Sequence, residues 1–193
     1  MNIQSVCVYC GSANRVGDPF KLLAKDVGTA LAKNGKRVVY GGGRVGLMGI
    51  VADAALQGGA EVIGIIPQHI QEREIQHTGL TELHVVPDMH TRKRMMVERS
   101  DAFVILPGGF GTLDETFEIL TWKQLQLHSK PVIIFNAHGY WDNLVKLLHT
   151  MVNCGFAQPS NLDLFSVVQD VPGMFSAFEK SVPVCGDISS KWM

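Results

Sequence analysis

The chain has 193 residues, of which 46% are hydrophobic and 18% are charged, and its formal net charge is −1. This balance is typical of a globular domain with a substantial core, and it excludes an intrinsically disordered chain. Without an excess of basic residues, there is also no reason to expect a nucleic acid as partner.

Short β-branched runs alternate with longer amphipathic stretches along the chain. The candidate strands are Ser5–Tyr9, Arg37–Tyr40, Glu61–Ile66, Glu82–Val86, Ala102–Leu106 and Pro131–Phe135. The candidate helices lie near Pro19–Lys33, Gly46–Gln57, His90–Glu98, Thr112–Leu125 and Tyr140–Val152. This alternation predicts an α/β fold: a doubly wound, mostly parallel, Rossmann-like sheet flanked by helices. We expect a single domain of residues 1–180 and a C-terminal tail of residues 181–193.

In such a sheet the loops from strand to helix all emerge at the carboxyl edge, where ligands bind. The unusual residues of this sequence fall in those loops. The loops are Cys10–Ser12, Gly41–Gly49, Gln68–Glu74, Asp88–Lys93 and Pro107–Glu115. We interpret this clustering as evidence for an active site.

Cys7 and Cys10 form a C-x-x-C pattern, which also occurs in redox and zinc sites. Both fall in or beside a predicted buried strand, and no second pair has ligand spacing, so we interpret them as structural. The histidines are scattered, and we expect no metal. The sequence contains no apolar run of membrane-spanning length and no signal-peptide pattern, so we expect a cytoplasmic protein with no membrane partner.

The segment Gly41–Gly46 satisfies the G-x-G-x-x-G pattern of dinucleotide-binding loops. It follows the second strand instead of the first, and the acidic Glu61 begins its strand at the wrong edge to meet a ribose. We favour a tight turn that brings backbone amides and a helix N-terminus to a ligand, while glycines that serve only helix–sheet packing remain an alternative. The residues of this possible further phosphate or substrate loop are Gly11, Ser12, Gly42, Gly43 and Gly46.

A more specific glycine loop follows the fifth predicted strand, where Pro107-Gly108-Gly109-Phe110-Gly111-Thr112 leads into Asp114 and Glu115. Glycines permit backbone conformations that expose amides to an anion, and the following helix adds its positive end. Thr112 is expected to cap that helix or to donate to a phosphate. We expect Asp114 and Glu115 in an acidic helix start, where Glu115 becomes functional if it faces the pocket.

The third unusual loop is Met89–Met96, MHTRKRMM. Cations at a helix start oppose the helix dipole, which favours a functional role for at least one of them over a solvated basic turn. Arginine offers a bidentate fork for phosphate or carboxylate, and lysine offers a point charge.

Together, Met89–Met96, PGGFGTLDE at Pro107–Glu115 and Thr121-Trp122 resemble the Lonely Guy family of cytokinin riboside 5'-monophosphate phosphoribohydrolases, which are often labelled possible lysine decarboxylases. The similarity extends to Cys10–Ser12, to Gly41–Gly49 (GGGRVGLMG) and to Gly139-Tyr140, and it covers about residues 5–150. The resemblance implies cleavage of the N-glycosidic bond of a cytokinin riboside 5'-monophosphate or AMP, which releases the free base and ribose 5-phosphate.

The resemblance also implies roles for individual residues. Arg92 and Glu115 match the catalytic positions. The substrate contacts map onto Glu74, Arg92, Lys93, Gly109, Phe110, Gly111, Thr112, Leu113, Asp114, Glu115 and Thr121. Phe110 stands where the family commonly has tyrosine, and Asp114 where it commonly has glutamate. The family implies no cofactor and a homodimer with its sites near the subunit interface.

Two alternatives of other classes stay open at this stage. A lysine decarboxylase would need pyridoxal phosphate on a Schiff-base lysine, for which Lys93 is conceivable although no supporting constellation is present. A nucleotide-binding module or carrier would keep the phosphate loop without turnover, because a fold and its binding loops do not guarantee chemistry.

Overall fold

The computed structural model describes residues 2–71 and 76–180. The strands are β1 Ser5–Tyr9, β2 Arg37–Tyr40, β3 Val62–Pro67, β4 Glu82–Val86, β5 Ala102–Ile105, β6 Val132–Phe135 and β7 Ser166–Val168. The α-helices are α1 Asp18–Lys33, α2 Gly46–Gln57, α3 Gln68–Gln71, α4 Met89–Glu98, α5 Phe110–Gln124, α6 Asp142–Asn153 and α7 Val171–Lys180. Short 3-10 helices lie at Ala137–Gly139 and Pro159–Leu164.

The strands form one sheet in the order β4-β3-β2-β1-β5-β6-β7, and neighbouring strands are parallel. The chain winds outward from β1 to β4 on one side and from β5 to β7 on the other. The predicted doubly wound α/β sheet is thus confirmed. Ligands bind such sheets where the winding reverses, which here is the carboxyl end of β1 and β5.

The core lies on both faces of the sheet because alternate residues of each strand point to opposite faces. Val6 and Val8 pack with apolar residues of α1, α2 and α7. Cys7 and Tyr9 pack on the other face with residues of α4, α5 and α6. All five residues of β1 are buried, as expected for a central strand covered on both faces.

Besides the two 3-10 helices, three elements escaped the sequence prediction: α3, which lies in the segment Gln68–Glu74 predicted to be a loop, β7 and α7. Strand β7 has three residues at the edge of the sheet and is largely exposed, so it lacks the apolar run of a buried strand. Helix α7 has Pro172 and Gly173 in its first turn, and this pair is typical of turns. The predicted tail, residues 181–193, lies outside the described residues. No helix within residues 2–71 or 76–180 combines the length and apolar character needed to cross a membrane.

Candidate functional site

Three loops meet at the carboxyl ends of β1, β2 and β5. The Gly11 amide donates to the Pro107 carbonyl at 3.0 Å, and the Gly11 carbonyl accepts from the Leu47 amide at 2.9 Å. Gly11 therefore joins the start of α2 to the loop after β5. The predicted clustering of the first, second and fifth loops at one edge is confirmed.

The glycine loop (Pro107–Thr112) leads directly into α5. Gly109 is the N-cap residue and has no side chain to satisfy the first helical turn. The first amides of a helix have no partner within the helix, so an anion can take that place. Thr112 is buried, and a Cβ at Gly108 would overlap its hydroxyl. This close approach requires glycine at position 108.

Helix α5 begins two residues earlier than predicted, at Phe110, because Gly109 is extended and its carbonyl accepts from the Leu113 amide at 3.0 Å. Of the two roles predicted for Thr112, the capping role is therefore wrong, since the cap is Gly109, and donation to a phosphate stays a prediction. Asp114 and Glu115 lie in the second turn, so the predicted acidic helix start is also wrong. Their carboxylates are one turn beyond the exposed amides.

Glu115 is an acidic side chain held almost out of water, with 8% of its surface exposed. Burial raises its pKa from the ordinary value of 4.5 to about 7, although the charge of Arg92 works in the opposite direction. The negative charges of Asp114 and Glu118 add to the rise. A carboxyl group with such a pKa exchanges protons near neutrality, as groups in acid–base catalysis do.

Arg92, on α4, reaches the same point from the other side of the site. Its Nη2 lies 3.8 Å from Oε1 of Glu115 and 3.4 Å from the Gly41 carbonyl oxygen. The residue is 8% exposed, and its buried Nε has no hydrogen-bond partner among the described residues. A Cβ at Gly41 would overlap the guanidinium, so this glycine makes room for Arg92. A buried donor without a partner is available to a ligand.

Lys93 is held by two carboxylates of α5. Its Nζ lies 3.1 Å from Asp114 Oδ2 and 3.1 Å from Glu118 Oε1. Burial alone would lower the pKa of Lys93, but hydrogen bonds to Glu118 and Asp114 outweigh it and raise the pKa. The amine is therefore a stable ammonium, which suits an anion contact and disfavours the free amine that a Schiff base needs.

The Gly41–Gly46 loop is tied into the protein at several points. The Gly42 carbonyl accepts from the His77 amide at 3.2 Å, and the Gly46 amide donates to Asn14 Oδ1 at 2.9 Å. Gly46 has a φ of 67°, and a Cβ there would lie 2.6 Å from the Ser12 carbonyl carbon. These glycines thus serve the packing of the loops on each other, and contact with a ligand stays a prediction for them and for Gly11, Ser12 and Gly43.

Glu61, the acidic residue of the dinucleotide-binding pattern, does not approach the Gly41–Gly46 loop. It precedes β3 at the amino edge of the sheet and pairs with Arg37, whose Nη2 is 2.5 Å from Glu61 Oε2. A ribose at the carboxyl edge is out of its reach. The preference for a turn over an NAD fingerprint is consistent with this placement.

The two cysteines of the C-x-x-C pattern lie in the core. Cys7 and Cys10 are buried and unpaired, and they point to opposite core clusters. Burial raises the pKa of both thiols, and the nearby charge of Glu115 raises it further. The described residues contain no group of three or more His, Cys, Asp or Glu side chains arranged for a metal ion.

The remaining predicted contacts are scattered along α5. Phe110 is 93% exposed at the start of the helix, Gly111 is exposed and Leu113 packs against the core. Thr121 is exposed on a separate apolar groove between α5, α6 and the Pro159–Leu164 helix. The structure therefore does not bring Thr121 to Arg92 and Glu115 within one chain. Glu74 lies outside the described residues.

Sequence reasoning assigned no site role to two residues that contact this site. Glu118 binds Lys93, and its place four residues after Asp114 on a helix is a signal that could have identified it. The Tyr140 hydroxyl donates to the Gly108 carbonyl at 2.7 Å. Tyr140 follows β6 at the carboxyl edge, but only the fold places it beside the glycine loop.

Comparison with solved structures gives the same fold. The molybdenum cofactor carrier protein of Chlamydomonas reinhardtii superposes with a TM-score of 0.70 at 20% identity, over 93% of this chain and 98% of the other. The molybdenum cofactor binding protein of Rippkaea orientalis also reaches 0.70 at 20% identity, over 93% and 97% of the two chains. At this identity the likeness concerns the fold alone.

Comparison of sequences is more specific. The family described as "Possible lysine decarboxylase" matches residues 48–178. The cytokinin riboside 5'-monophosphate phosphoribohydrolase of Rhodococcoides fascians is 45% identical over 90% of this chain and 88% of its own length. One of the same name from Arabidopsis thaliana is 39% identical over 96% and 87%. The chain therefore belongs to the Lonely Guy family of cytokinin riboside 5'-monophosphate phosphoribohydrolases.

Proposed function

We propose that this protein hydrolyses the N-glycosidic bond of a nucleoside 5'-monophosphate. The bond between ribose C1' and the base nitrogen breaks. The oxygen of a water molecule bonds to C1', and one proton of that water ends on the departing base. The observation that carries the proposal is the buried Arg92–Glu115 pair beside the first turn of α5.

Glu115 has the environment that this reaction asks of a carboxylate. As the base departs, positive charge develops on the ribose ring, and a fixed carboxylate in a dry site stabilises such charge strongly. The same group can orient the ribose hydroxyls or accept a proton from water. Its pKa of about 7 leaves a large fraction ionised at neutral pH.

Arg92 completes the pair by keeping Glu115 ionisable. Its positive charge lowers the pKa of a carboxyl that burial would otherwise drive higher. Because its Nε has no partner among the described residues, it also has a donor left for the phosphate or for the departing base.

The glycine loop supplies the phosphate site in this proposal. The amides that begin α5 face an anion together with the positive end of the helix dipole. Lys93 adds a positive charge nearby, although Asp114 and Glu118 neutralise much of it. The ribose would then lie between the helix start and the Glu115 carboxylate.

The hydrolase reading is better supported than its two rivals. The carrier hypothesis is supported only by a likeness of fold at 20% identity. Relatives at 45% and 39% identity, in contrast, are named phosphoribohydrolases. The decarboxylase reading needs a nucleophilic amine, but Lys93 has a raised pKa and two carboxylate partners. We propose AMP or an N6-substituted AMP as substrate, because the relatives are named for a cytokinin riboside 5'-monophosphate.

The test is to incubate the protein with AMP and with N6-isopentenyl-AMP and to measure the free base by chromatography. We expect base release by the wild type and almost none by Arg92→Ala or Glu115→Ala. Glu61→Ala is the matched control, because this carboxylate lies at the opposite edge of the sheet. Binding of the nucleotide without base release would support the carrier instead.

We further propose that the protein is a homodimer that assembles through the groove containing Thr121. Apolar side chains of α5, α6 and the Pro159–Leu164 helix line this groove, and Phe156 at its edge is 87% exposed. Exposed apolar patches of this kind mark association surfaces. Such a dimer would bring Thr121 to the interface, near which the family resemblance places the active sites.

Light scattering after size-exclusion chromatography tests the dimer. We expect Phe156→Asp to give a monomer. Leu22→Asp also replaces an exposed apolar side chain by a charged one, but it lies on α1, away from the groove, and should leave the dimer intact. A monomeric wild type would contradict the proposal.

The three unpaired cysteines of the described residues, Cys7, Cys10 and Cys154, support a reducing compartment, and we propose the cytoplasm.

A further inference from the structure

Tyr140 lies against the glycine loop from the β6 side of the site. Its hydroxyl donates to the Gly108 carbonyl at 2.7 Å, a contact between residues 32 positions apart. On the opposite side of the same loop, the Gly11 amide donates to the Pro107 carbonyl at 3.0 Å. Two consecutive carbonyl groups of the glycine loop are therefore held by different parts of the fold.

The turn that presents Tyr140 is itself strongly constrained. The Asn136 side chain donates to Asp142 Oδ1 at 2.7 Å and accepts from the Trp141 amide at 2.7 Å. Gly139 has a φ of 70°, and a Cβ there would lie 2.6 Å from Asp142 Oδ2. The chain thus has little freedom to move Tyr140 away from the loop.

Aromatic packing fixes the Tyr140 ring as well. The ring makes edge contacts with Phe20 and Trp141 at centroid separations of 5.5 and 4.7 Å. The ring is therefore held independently of its hydroxyl, and removal of the hydroxyl alone leaves this packing in place.

The geometry points to Tyr140 as a positioning residue that orients the Gly108–Gly109 peptide so that the Gly109 amide faces the phosphate of the substrate. In a trans peptide the carbonyl and the following N–H point in opposite directions. A hydrogen bond that fixes the Gly108 carbonyl toward Tyr140 therefore fixes the Gly109 N–H on the other side. Glycines on both sides of this peptide offer little resistance to its rotation, so an outside contact is needed.

This inference rests on the proposed function, because it assumes that the glycine loop binds phosphate. It assigns Tyr140 a role in phosphate binding and none in the bond cleavage beside Glu115. Loss of the hydroxyl should therefore weaken binding of ligands that carry the phosphate and leave other ligands unaffected. The chemical step should change little once the substrate is bound.

The experiment compares the wild type with Tyr140→Phe by steady-state kinetics with AMP and adenosine, and by calorimetric binding of ribose 5-phosphate. Tyr40→Phe is the matched control, because its buried hydroxyl has no partner among the described residues. For Tyr140→Phe we expect about a three- to tenfold rise in the KM for AMP and in the Kd for ribose 5-phosphate, the range of one hydrogen bond. The kcat with AMP and the kcat/KM with adenosine should stay within about twofold of the wild type. The Tm should fall by no more than about 4 °C, the loss expected for one hydrogen bond.

The outcomes separate this inference from the proposed function. If the wild type binds ribose 5-phosphate and releases base, but Tyr140→Phe matches it in KM and Kd, the role of Tyr140 is wrong and the hydrolase stands. An equal loss with AMP and adenosine would make Tyr140 merely structural and overturn the inference. If the wild type itself neither binds ribose 5-phosphate nor releases base, both fail together.

Discussion

The Arg92 guanidinium lies 3.8 Å from the Glu115 carboxylate, and each residue exposes only 8% of its surface. Arg92 lies on α4 and Glu115 on α5, so the pair connects these two helices near the point where the winding of the sheet reverses. At 3.8 Å the two groups attract each other without a close hydrogen bond, so the arginine offsets the cost of burying the carboxylate only in part. That partial compensation explains why the pKa of Glu115 lies at about 7 and not below its ordinary value.

The first prediction concerns the pH dependence of activity. If the ionised Glu115 stabilises the developing charge on the ribose, kcat/KM rises with pH up to about 7 and then levels off. Steady-state kinetics between pH 5 and 9 would measure it. Since the substrate phosphate also titrates, with a pKa of about 6, the inhibition constant of ribose 5-phosphate should be followed over the same range. A kcat/KM that falls through pH 7 would instead make Glu115 the acid.

The second prediction is that Glu115→Gln stabilises the protein while it inactivates the enzyme. Below about pH 4.5 the carboxyl is protonated in the folded and the unfolded chain alike, so the substitution changes little. Between 4.5 and about 7 the unfolded chain loses this proton first, and the wild type loses stability progressively. Above pH 7 the cost is constant, up to about 3 kcal/mol for the full shift.

Denaturant unfolding at pH 4.5 and pH 8 would measure this difference. The gain of Glu115→Gln over the wild type should appear at pH 8 and be nearly absent at pH 4.5. Glu61→Gln is the control, and it should show no such gain because Glu61 is 58% exposed in its side chain. A Glu115→Gln variant that is less stable than the wild type at pH 8 would contradict the burial of a carboxylate that Arg92 compensates only in part.

The third prediction concerns Arg92→Gln. Because the Arg92 charge lowers the pKa of Glu115, its removal should move the midpoint of the pH–activity profile above 7. At pH 7 we expect kcat/KM to fall by about 10²- to 10³-fold, as when an electrostatic donor is removed from an active site. Arg94→Gln, on the exposed side of α4, is the control and should keep the wild-type midpoint. An unshifted midpoint in Arg92→Gln would show that the two groups are not coupled.

The fourth prediction concerns the close approach at Gly108. In Gly108→Ala the new Cβ overlaps the Thr112 hydroxyl, so either the loop or α5 must shift. We expect a loss of about 1–3 kcal/mol in the free energy of unfolding and a higher KM for AMP. Gly17→Ala is the control, since its Cβ would meet only Pro19 at an ordinary 3.6 Å. If both variants behaved alike, the tight packing of the glycine loop would be wrong.

The sheet could be predicted from the sequence because its inner strands are continuous apolar runs between turn residues. Edge strand β7 could not, since its three largely exposed residues belong to the sheet through main-chain hydrogen bonds. The same limit applies to the start of α5. Gly109 can begin a helix without a capping side chain, and the sequence pattern instead suggested Thr112.

The site shows a similar division. Arg92 and Glu115 could be identified from the family motifs, but their burial and separation depend on how α4 and α5 cross the sheet. With the helix beginning at Phe110, Glu115 shares the buried face with Thr112 and Ile119 at helical spacing, while Asp114 points outward with 58% of its side chain exposed. Thr121 shows the opposite limit, since a motif residue can lie on a groove apart from the other motif residues.

The most direct test of the central claim is the simultaneous assay of free adenine and ribose 5-phosphate from AMP in phosphate-free buffer. A buried Arg92–Glu115 pair that acts by hydrolysis predicts equal amounts of the two products. It also predicts a rate about 10²- to 10⁴-fold lower in Glu115→Gln, the usual range for a positioned acid–base group. Adenine without an equal amount of ribose 5-phosphate, or a Glu115→Gln variant with wild-type turnover, would contradict it.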